Sequence, residues 1–177
     1  MSLSSRPPSV KRVVLAPHDA RWPEQFVREV EALSRALGPR LRAVHHIGST
    51  AVAGLVAKPI IDVLVVVDAV ENVDVASGAL AREGYENRGE NGIEGRRYLV
   101  RAASDAPMGE LAHVHCFAEG HPAIAEHLAF RDRLVERPDL VGEYAALKER
   151  LATQHPDDRA AYTAGKTDFI RRVLRGS

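Results

Sequence analysis

The chain has 177 residues, enough for one domain to bury a substantial core without disulfides or a structural metal. Its 24 basic and 24 acidic residues balance, so the net charge gives no reason to expect nucleic acid or an anionic membrane as a partner. A single cysteine, Cys116, excludes an internal disulfide framework and a zinc site built from several cysteines.

The chain starts with a polar segment. Residues 1–10 are rich in serine and proline, which predicts a flexible tail, and residues 11–177 are expected to form one domain. The start lacks the apolar stretch of a signal peptide, and the longest apolar run is far shorter than the roughly 20 residues that span a bilayer. We therefore expect a cytoplasmic location and no membrane partner.

Predicted strands dominate the first two thirds of the chain. Apolar residues at three- and four-residue spacing after Pro23 predict an opening helix that ends at Gly38-Pro39. Strands are predicted over residues 41–44, 60–67, 85–88, 96–101 and 111–117. A further helix is predicted over residues 70–82, where Gly84 stops it.

The last third of the chain has helical patterns. Residues 121–137 and 138–152 each begin with proline in the first turn and carry an apolar stripe. Residues 157–175 predict a third helix, although Gly165 disfavours an unbroken one. A front half with strands and a back half with helices together predict an α+β fold.

One carboxylate interrupts the most apolar predicted strand. Asp62 lies within Ile60–Val67, a segment whose other residues are all apolar and which is typical of a strand covered on both faces. Burying an ionised carboxylate is costly unless a cation or strong hydrogen bonds accompany it. Lys58 is one candidate partner, in a purely structural ion pair. A bound divalent cation is the other.

Two further segments offer ligands near Asp62. His113 and His115 share one face of a predicted strand, and such a pair is either half-exposed or approaches a common metal or anion. Twelve residues separate Ser49 from Asp62. The turn around Ser49 is either a plain turn or a loop whose amides and hydroxyls hold phosphate oxygens.

The segment "HHIGSTAVAGLVAKPIIDVLVVV", residues 45–67, resembles the signature of the GrpB family, which is grouped with the nucleotidyltransferase superfamily typified by DNA polymerase beta and kanamycin nucleotidyltransferase. Other stretches that match the family are "RWPEQF", "GRRYLVR", "HVHCF", "HLAFRDRL", "YAALKERLA" and "YTAGKTDFI". The resemblance covers nearly the whole chain. It implies a nucleotidyltransferase-like mixed β-sheet with flanking helices and a helical C-terminal part.

The resemblance also implies roles for individual residues. In the superfamily, a Gly-Ser pair holds a triphosphate, and carboxylates on the following strand bind metal. Gly48 and Ser49 match that pair, and Asp62 matches the first carboxylate. Leu64 stands where the second carboxylate belongs, so a site for two metals is incomplete.

The implied metal site is therefore mixed. His113 or His115 lies about where the superfamily has a third carboxylate, which makes Asp62, His113 and His115 the predicted catalytic residues and metal ligands. One histidine is also the candidate general base. Magnesium prefers oxygen ligands, so a mixed set favours manganese or zinc over magnesium.

The predicted phosphate ligands come from the loop and from basic side chains. They are Gly48, Ser49, Thr50, Lys58, Arg97 and Lys166. Lys166 lies in a stretch that matches the family, and one of Arg96 and Arg97 is expected near the pocket. Lys148, like other basic residues on predicted helices, is expected at the surface.

Three functions fit these residues. The first is metal-dependent transfer of a nucleoside monophosphate from a nucleotide triphosphate to a small-molecule or protein acceptor. The second is a non-catalytic nucleotide or metabolite sensor, which the missing carboxylate at Leu64 favours. The third is a metal-dependent hydrolase that uses Asp62 and the two histidines. The expected partner is a nucleotide or another phosphate-bearing small molecule, and nucleic acid is not expected.

Overall fold

The computed structural model describes residues 12–176, so the predicted tail lies outside the described residues. The helices are α1 (Trp22–Leu37), α2 (Glu71–Val75), α3 (Ser77–Arg82), α4 (Pro122–Glu136), α5 (Pro138–Gln154), α6 (Arg159–Ala164) and α7 (Thr167–Arg175). The strands are β1 (Leu41–Ile47), β2 (Ile61–Val67), β3 (Tyr85–Asn87), β4 (Arg96–Ala102) and β5 (Glu110–Ala118). Single 3-10 turns cover Gly38–Arg40 and Ser49–Ala51.

The strands form one mixed sheet in the order β1-β2-β5-β4-β3. Strand β2 runs antiparallel to β1 and parallel to β5, whereas β4 runs antiparallel to both β5 and β3. The predicted α+β arrangement is confirmed. Strand β1 continues to Ile47, three residues beyond its predicted end, because His45 and His46 still pair with β2.

The two faces of the sheet differ in what covers them. On one face, Ile61, Val63, Val65 and Val67 of β2 pack into the main core with residues of α1 and of the α2–α3 segment. On the other face, Leu64 packs with Ile47 and Phe117 beneath the start of α4. Asp62 shares this second face, because side chains alternate along a strand. The sheet thus carries Asp62 towards the C-terminal helices.

Two predicted helices are broken. In place of the predicted single helix over residues 70–82, the structure has two short helices, α2 and α3. They meet at Ala76, whose ψ of 3° lies outside the helical range. The predicted helix over residues 157–175 is α6 and α7, which are separated at Gly165. A Cβ atom at Gly165 would lie 2.4 Å from the Cδ2 of Leu151, so only glycine lets this turn approach α5.

The C-terminal helices pack on each other and on the loop after β1. Tyr144 of α5 and Phe169 of α7 stack with ring centroids 4.7 Å apart, in a cluster that also buries Val52 and Leu55 of the loop. This packing fixes the loop between the sheet and α5. Among the described residues, none of the helices has the length and apolar character needed to cross a membrane.

Candidate functional site

A cleft of about 630 Å³ lies between the Asp62 face of the sheet and helices α4 to α7. Six basic side chains line it: Lys58, Arg88, Arg96, Lys148, Arg159 and Lys166. Two carboxylates line it as well, Asp62 and Glu110. An excess of positive charge in a partly enclosed space favours the binding of an anionic ligand.

The loop after β1 packs directly against Asp62. Strand β1 ends at Ile47, which pairs with Asp62 of β2. Gly48 is the next residue, so it lies beside Asp62. Gly48 has a φ of 68°, and a Cβ atom at this position would lie 2.6 Å from the Oδ2 of Asp62. Glycine is therefore required for two reasons, the left-handed backbone and the close approach.

Ser49 and Thr50 have different partners. The Nζ of Lys148 lies 2.9 Å from the Oγ of Ser49, at the wall of the cleft. The hydroxyl of Thr50 is buried and lies 2.9 Å from the Nε2 of His46. Burial lowers the pKa of His46 to about 4, so this imidazole is neutral near pH 7. Of the two hydroxyls, that of Ser49 is the better placed to meet a ligand.

Three lysines converge on the cleft. Burial lowers the pKa of Lys58, of Lys148 (to about 7) and of Lys166 (to about 8). Repulsion from the other lysines adds to the effect at Lys148 and Lys166, and repulsion from Arg159 adds to it at Lys58. Lys58 and Lys166 lie 5.8 and 4.7 Å from the ring centroid of Tyr162. The structure thus brings both predicted lysines to the cleft.

The surface position expected for Lys148 is wrong. Its side chain is only 2% exposed, and it also donates a hydrogen bond to the carbonyl oxygen of Val56. The buried positions of α5 are Leu140, Tyr144, Lys148 and Leu151. Helical spacing alone places Lys148 on this stripe, four residues after Tyr144, and this signal in the sequence could have identified it.

His113 connects Asp62 to a second carboxylate. The Nδ1 of His113 lies 3.7 Å from the Oδ1 of Asp62, and its Nε2 lies 3.1 Å from the Oε2 of Glu110. Ser49, Asp62 and both predicted histidines line the same cleft, as the sequence predicted. Glu110 is 2% exposed and was not foreseen, because it stands at the start of β5 and not beside Asp62 on β2.

His115 faces a different partner. The Nη1 of Arg96 lies 3.2 Å from the Nδ1 of His115. A guanidinium only donates hydrogen bonds, so Nδ1 accepts and the ring proton is on Nε2. Burial lowers the pKa of His115 to about 3, which agrees with a neutral ring. His115 is therefore placed to hold Arg96 and not to hold a metal through Nδ1.

The predicted metal ligand set is not observed. Across residues 12–176, no three His, Cys, Asp or Glu side chains are grouped in a way that could hold a metal ion. The sheet register explains this, because Asp62 pairs with His113 whereas His115 pairs with Leu64, two residues further along the strand. The ring of His115 meets the guanidinium of Arg96 instead, with the Nη1 of Arg96 3.2 Å from its Nδ1.

Arg97, a predicted phosphate ligand, does not line the cleft. Its guanidinium pairs with Asp74 on the opposite face of the sheet, at 2.8 Å. Arg96, its neighbour on the strand, points into the cleft and is 5% exposed. Arg96 donates to the carbonyl oxygens of Glu90 and Asn91, at 3.0 and 2.6 Å, so it holds the loop that borders the cleft.

Arg159 has buried hydrogen-bond donors beside the cleft. Its Nη1 lies 3.0 Å from the Oε2 of Glu110, but its Nε and Nη2 are buried and have no hydrogen-bond partner among residues 12–176. Buried donors are rarely left unpaired in proteins. An anion in the cleft would supply acceptors for them. No pattern in the sequence marks Arg159, because it stands at the start of a short helix outside the matching stretches.

Known proteins resemble this chain over most of its length. The family model described as GrpB protein matches residues 12–176. UPF0157 protein YqkA of Bacillus subtilis (strain 168) is 41% identical over 161 residues, which are 91% of this chain and 46% of that protein. The chain thus spans less than half the length of this relative.

A solved structure of a relative shows the same fold. The conserved protein GrpB from Enterococcus faecalis has a TM-score of 0.83 and 40% identity, over 92% of this chain and 96% of that chain. A cytoplasmic RNA terminal U-transferase aligns with 75% of this chain and 43% of its own, with a TM-score of 0.48 and 14% identity. This second similarity is too distant to carry an argument about activity.

Proposed function

The chain belongs to the GrpB family, and we propose that its cleft binds a nucleotide through the phosphates and transfers the nucleoside monophosphate to an acceptor. The donor is a nucleoside triphosphate, and the acceptor is a small molecule or a protein. A cytoplasmic location is part of the same proposal. The support comes from the cleft and from the order of Gly48, Ser49 and Asp62 along the chain.

The convergence of Lys58, Lys148 and Lys166 is the observation that carries the proposal. Three amines with lowered pKa values repel each other and are partly stripped of water. A chain of phosphates places several negative oxygens among them and removes this repulsion. The unpaired Nε and Nη2 of Arg159 would gain acceptors from the same ligand.

A divalent cation fits this cleft through one carboxylate. Magnesium and manganese in nucleotide sites are commonly held by one or two carboxylates together with phosphate oxygens and water. Asp62 lines the cleft, and its side chain is 32% exposed, so it is free to meet such an ion. A bound cation would neutralise charge on the phosphates. A zinc site made from Asp62, His113 and His115 has no support, because these side chains are not grouped around one position.

His113 acts as a positioning residue in this proposal. Its ring lies between the carboxylates of Asp62 and Glu110, at 3.7 and 3.1 Å. Gly48 packs against one side of the Asp62 carboxylate and His113 lies on the other side. The His113 ring therefore helps to orient this carboxylate. The ring of Tyr98, 5.5 Å away between centroids, limits its movement.

The experiment follows a label on the α-phosphorus of ATP, GTP, CTP and UTP. The protein is incubated with each nucleotide, Mg²⁺ or Mn²⁺, and a bacterial extract that supplies small-molecule and protein acceptors. We expect label in a new product with the wild type and at least about 100-fold less with Asp62→Asn. Equal label with both proteins would contradict the role of Asp62, and no label with any nucleotide would contradict transfer.

A non-catalytic nucleotide sensor is the second candidate. Leu64 favours it, because this residue is fully buried with Ile47 and Phe117 and leaves β2 with one carboxylate. A sensor would bind nucleotide through the same lysines but transfer no label. The label experiment and a binding measurement together separate the two functions.

A further inference from the structure

The hydroxyl of Ser49 and the amine of Lys148 form a close pair at the wall of the cleft. The two atoms are 2.9 Å apart, although the residues lie 99 positions apart in the chain. Ser49 is half-buried and borders the cleft, whereas Lys148 is 2% exposed beneath it. A serine within hydrogen-bond reach of a buried base is the arrangement of an activated nucleophile.

The environment of Lys148 favours the neutral amine. Burial is the largest cause of its lowered pKa, and Lys166 before α7 and Lys58 before β2 repel its charge. Asp62 of β2 and Glu149 of the same helix act in the opposite direction. With a pKa of about 7, a large fraction of Lys148 is unprotonated near neutral pH. The carbonyl oxygen of Val56 accepts one of its N–H groups.

The direction of the hydrogen bond depends on the charge of the lysine. The ammonium donates to the oxygen of Ser49. The neutral amine has a lone pair, so the Ser49 hydroxyl donates to it over the same 2.9 Å. With its lone pair towards Ser49 and one N–H towards Val56, Lys148 is oriented as a base.

Tyr144 is a third member of this cluster. It lies one helical turn before Lys148 on α5, and the Nζ of Lys148 is 4.8 Å from the centroid of its ring. Burial raises the pKa of Tyr144, so its phenol is neutral near pH 7. Tyr144 thus places an uncharged aromatic ring beside the Lys148 amine.

We propose that Ser49 is a nucleophile, that Lys148 is its general base, and that the nucleoside monophosphate is carried on Ser49 as a covalent ester. This inference rests on the proposed function for its substrate. It assigns Lys148 a catalytic role. The cleft around Ser49 is also lined by Lys58, Lys166 and Arg159. Their positive charges would stabilise the negative charge that develops on the phosphate oxygens in the transition state.

The reaction has two balanced steps. In the first, the oxygen of Ser49 attacks the α-phosphorus, the bond to the β-phosphate breaks, pyrophosphate leaves with the electron pair, and the Ser49 proton passes to Lys148. In the second, an acceptor hydroxyl attacks the same phosphorus and its proton is released to solvent. The bond to Ser49 breaks, and Lys148 returns its proton to the Ser49 oxygen.

A covalent route also explains how the cleft works without a carboxylate at Leu64. In a direct transfer, carboxylate-bound metals activate the acceptor and stabilise the leaving group. A Ser-Lys pair activates the nucleophile without a metal, so one carboxylate on β2 is sufficient.

The first test uses a fluorophosphonate probe, which reacts with activated serines and needs no nucleotide. We expect the probe to label Ser49 in the wild type, as located by peptide mass spectrometry, and not to label the exposed Ser77. Ser49→Ala should abolish the labelling, and Ser77→Ala should leave it unchanged. Labelling of Ser49 no faster than that of Ser77 would overturn the proposal.

Two substitutions of Lys148 separate a base from a positive charge. Lys148→Met removes both, whereas Lys148→Arg keeps the charge but cannot accept a proton. We expect both variants to slow labelling of Ser49 by at least about 100-fold. The wild-type rate should rise with pH through about pH 7, the pKa of Lys148. Normal labelling in Lys148→Arg would show that the lysine acts only through its charge. Thermal unfolding of each variant shows that it is folded.

The second test uses nucleotide in place of the probe. After incubation with α-labelled nucleoside triphosphate and acid quenching, we expect the mass of one nucleoside monophosphate on Ser49, and none in Ser49→Ala. Label that reaches an acceptor without ever appearing on the protein would overturn the covalent step and leave the proposed function intact. Labelling by the probe without any binding of nucleotide would overturn the proposed function and leave the Ser-Lys pair.

Discussion

A Cβ atom on Gly48 would lie 2.6 Å from the Oδ2 of Asp62 and 2.9 Å from its Cβ. The loop and the carboxylate are therefore packed as one unit, although thirteen positions separate them in the chain. Any side chain at position 48 has to displace Asp62 or the loop. Because Ser49 follows directly, such a displacement also moves its hydroxyl relative to Lys148.

The first prediction concerns Gly48→Ala. The variant carries strain from a φ of 68° as well as the contact with Asp62, whereas Gly54→Ala carries strain from a φ of 76° with no atom within 4 Å of the new Cβ. We expect Gly54→Ala to cost about 1 kcal/mol of unfolding free energy. Gly48→Ala should cost roughly 2 kcal/mol more and should weaken nucleotide binding. Equal effects of both variants in urea unfolding would contradict the packing of the loop on Asp62.

The second prediction concerns Asp62→Asn. The described ion pairs of Asp62 comprise only the 3.7 Å contact with His113, and Lys58 is not paired with it. We therefore expect a change of less than about 1 kcal/mol in unfolding free energy and a loss of the Mg²⁺-dependent part of nucleotide binding. Asp74→Asn, which removes the partner of Arg97 on the other face, is the control and should leave binding unchanged. A large fall in stability with unchanged binding would instead indicate a structural carboxylate.

The third prediction is a rise of stability with pH. The pKa of Lys148 is about 7 and that of Lys166 about 8 in the folded protein, against 10.5 for ordinary lysine. Between about pH 7 and about pH 10 the unfolded chain therefore binds more protons than the folded one, and the free energy of unfolding increases with pH. Urea unfolding at several pH values measures this slope. Lys148→Met should have a smaller slope, and a flat or falling curve for the wild type would contradict the burial of these amines.

A bound anion should oppose this effect. Inorganic triphosphate beside Lys58 and Lys166 raises the pKa values of these two lysines, so its binding takes up protons and weakens as the pH rises.

The fourth prediction concerns Leu64→Asp. Leu64 is fully buried against Ile47 and Phe117, so a carboxylate there has no cation and no room for a second metal. We expect a loss of roughly 3 kcal/mol or more and no gain of label transfer. Leu64→Met, which nearly conserves the volume, should cost less than about 1.5 kcal/mol. Transfer that appears only in Leu64→Asp would show a two-metal site whose geometry is preserved, and it would contradict catalysis by the natural chain.

Much of the fold was predictable from local patterns. The strands and the proline-started helices α4 and α5 follow from periodicity, because burial on one face imposes that period on the sequence. The break near Gly165 was signalled by the glycine, but the close approach of this glycine to Leu151 is a tertiary effect that no local pattern contains. The break at Ala76 has no signal that we recognise.

The site was predictable only in part. The faces of β2 and β5 follow from alternation, so Asp62 could be expected near His113 or His115, but the pairing with His113 follows only from the register of the two strands. The choice between Arg96 and Arg97 depended on which face of β4 turns to the cleft, and that is decided by strand pairing across the sheet. Arg159 and Glu110 meet through packing between α6 and the start of β5, which distant segments determine together.

Calorimetric titration of nucleoside triphosphates with Mg²⁺ tests the central claim most directly, because it measures whether the lysine-lined cleft holds phosphates. The wild type is compared with Lys166→Met, with Arg159→Met and with Arg97→Met as the control on the opposite face. We predict one site in the wild type, affinity at least about tenfold weaker in the first two variants, and unchanged affinity in Arg97→Met. No heat of binding with any of the four nucleotides, or equal affinity in all four proteins, would contradict a nucleotide site in this cleft.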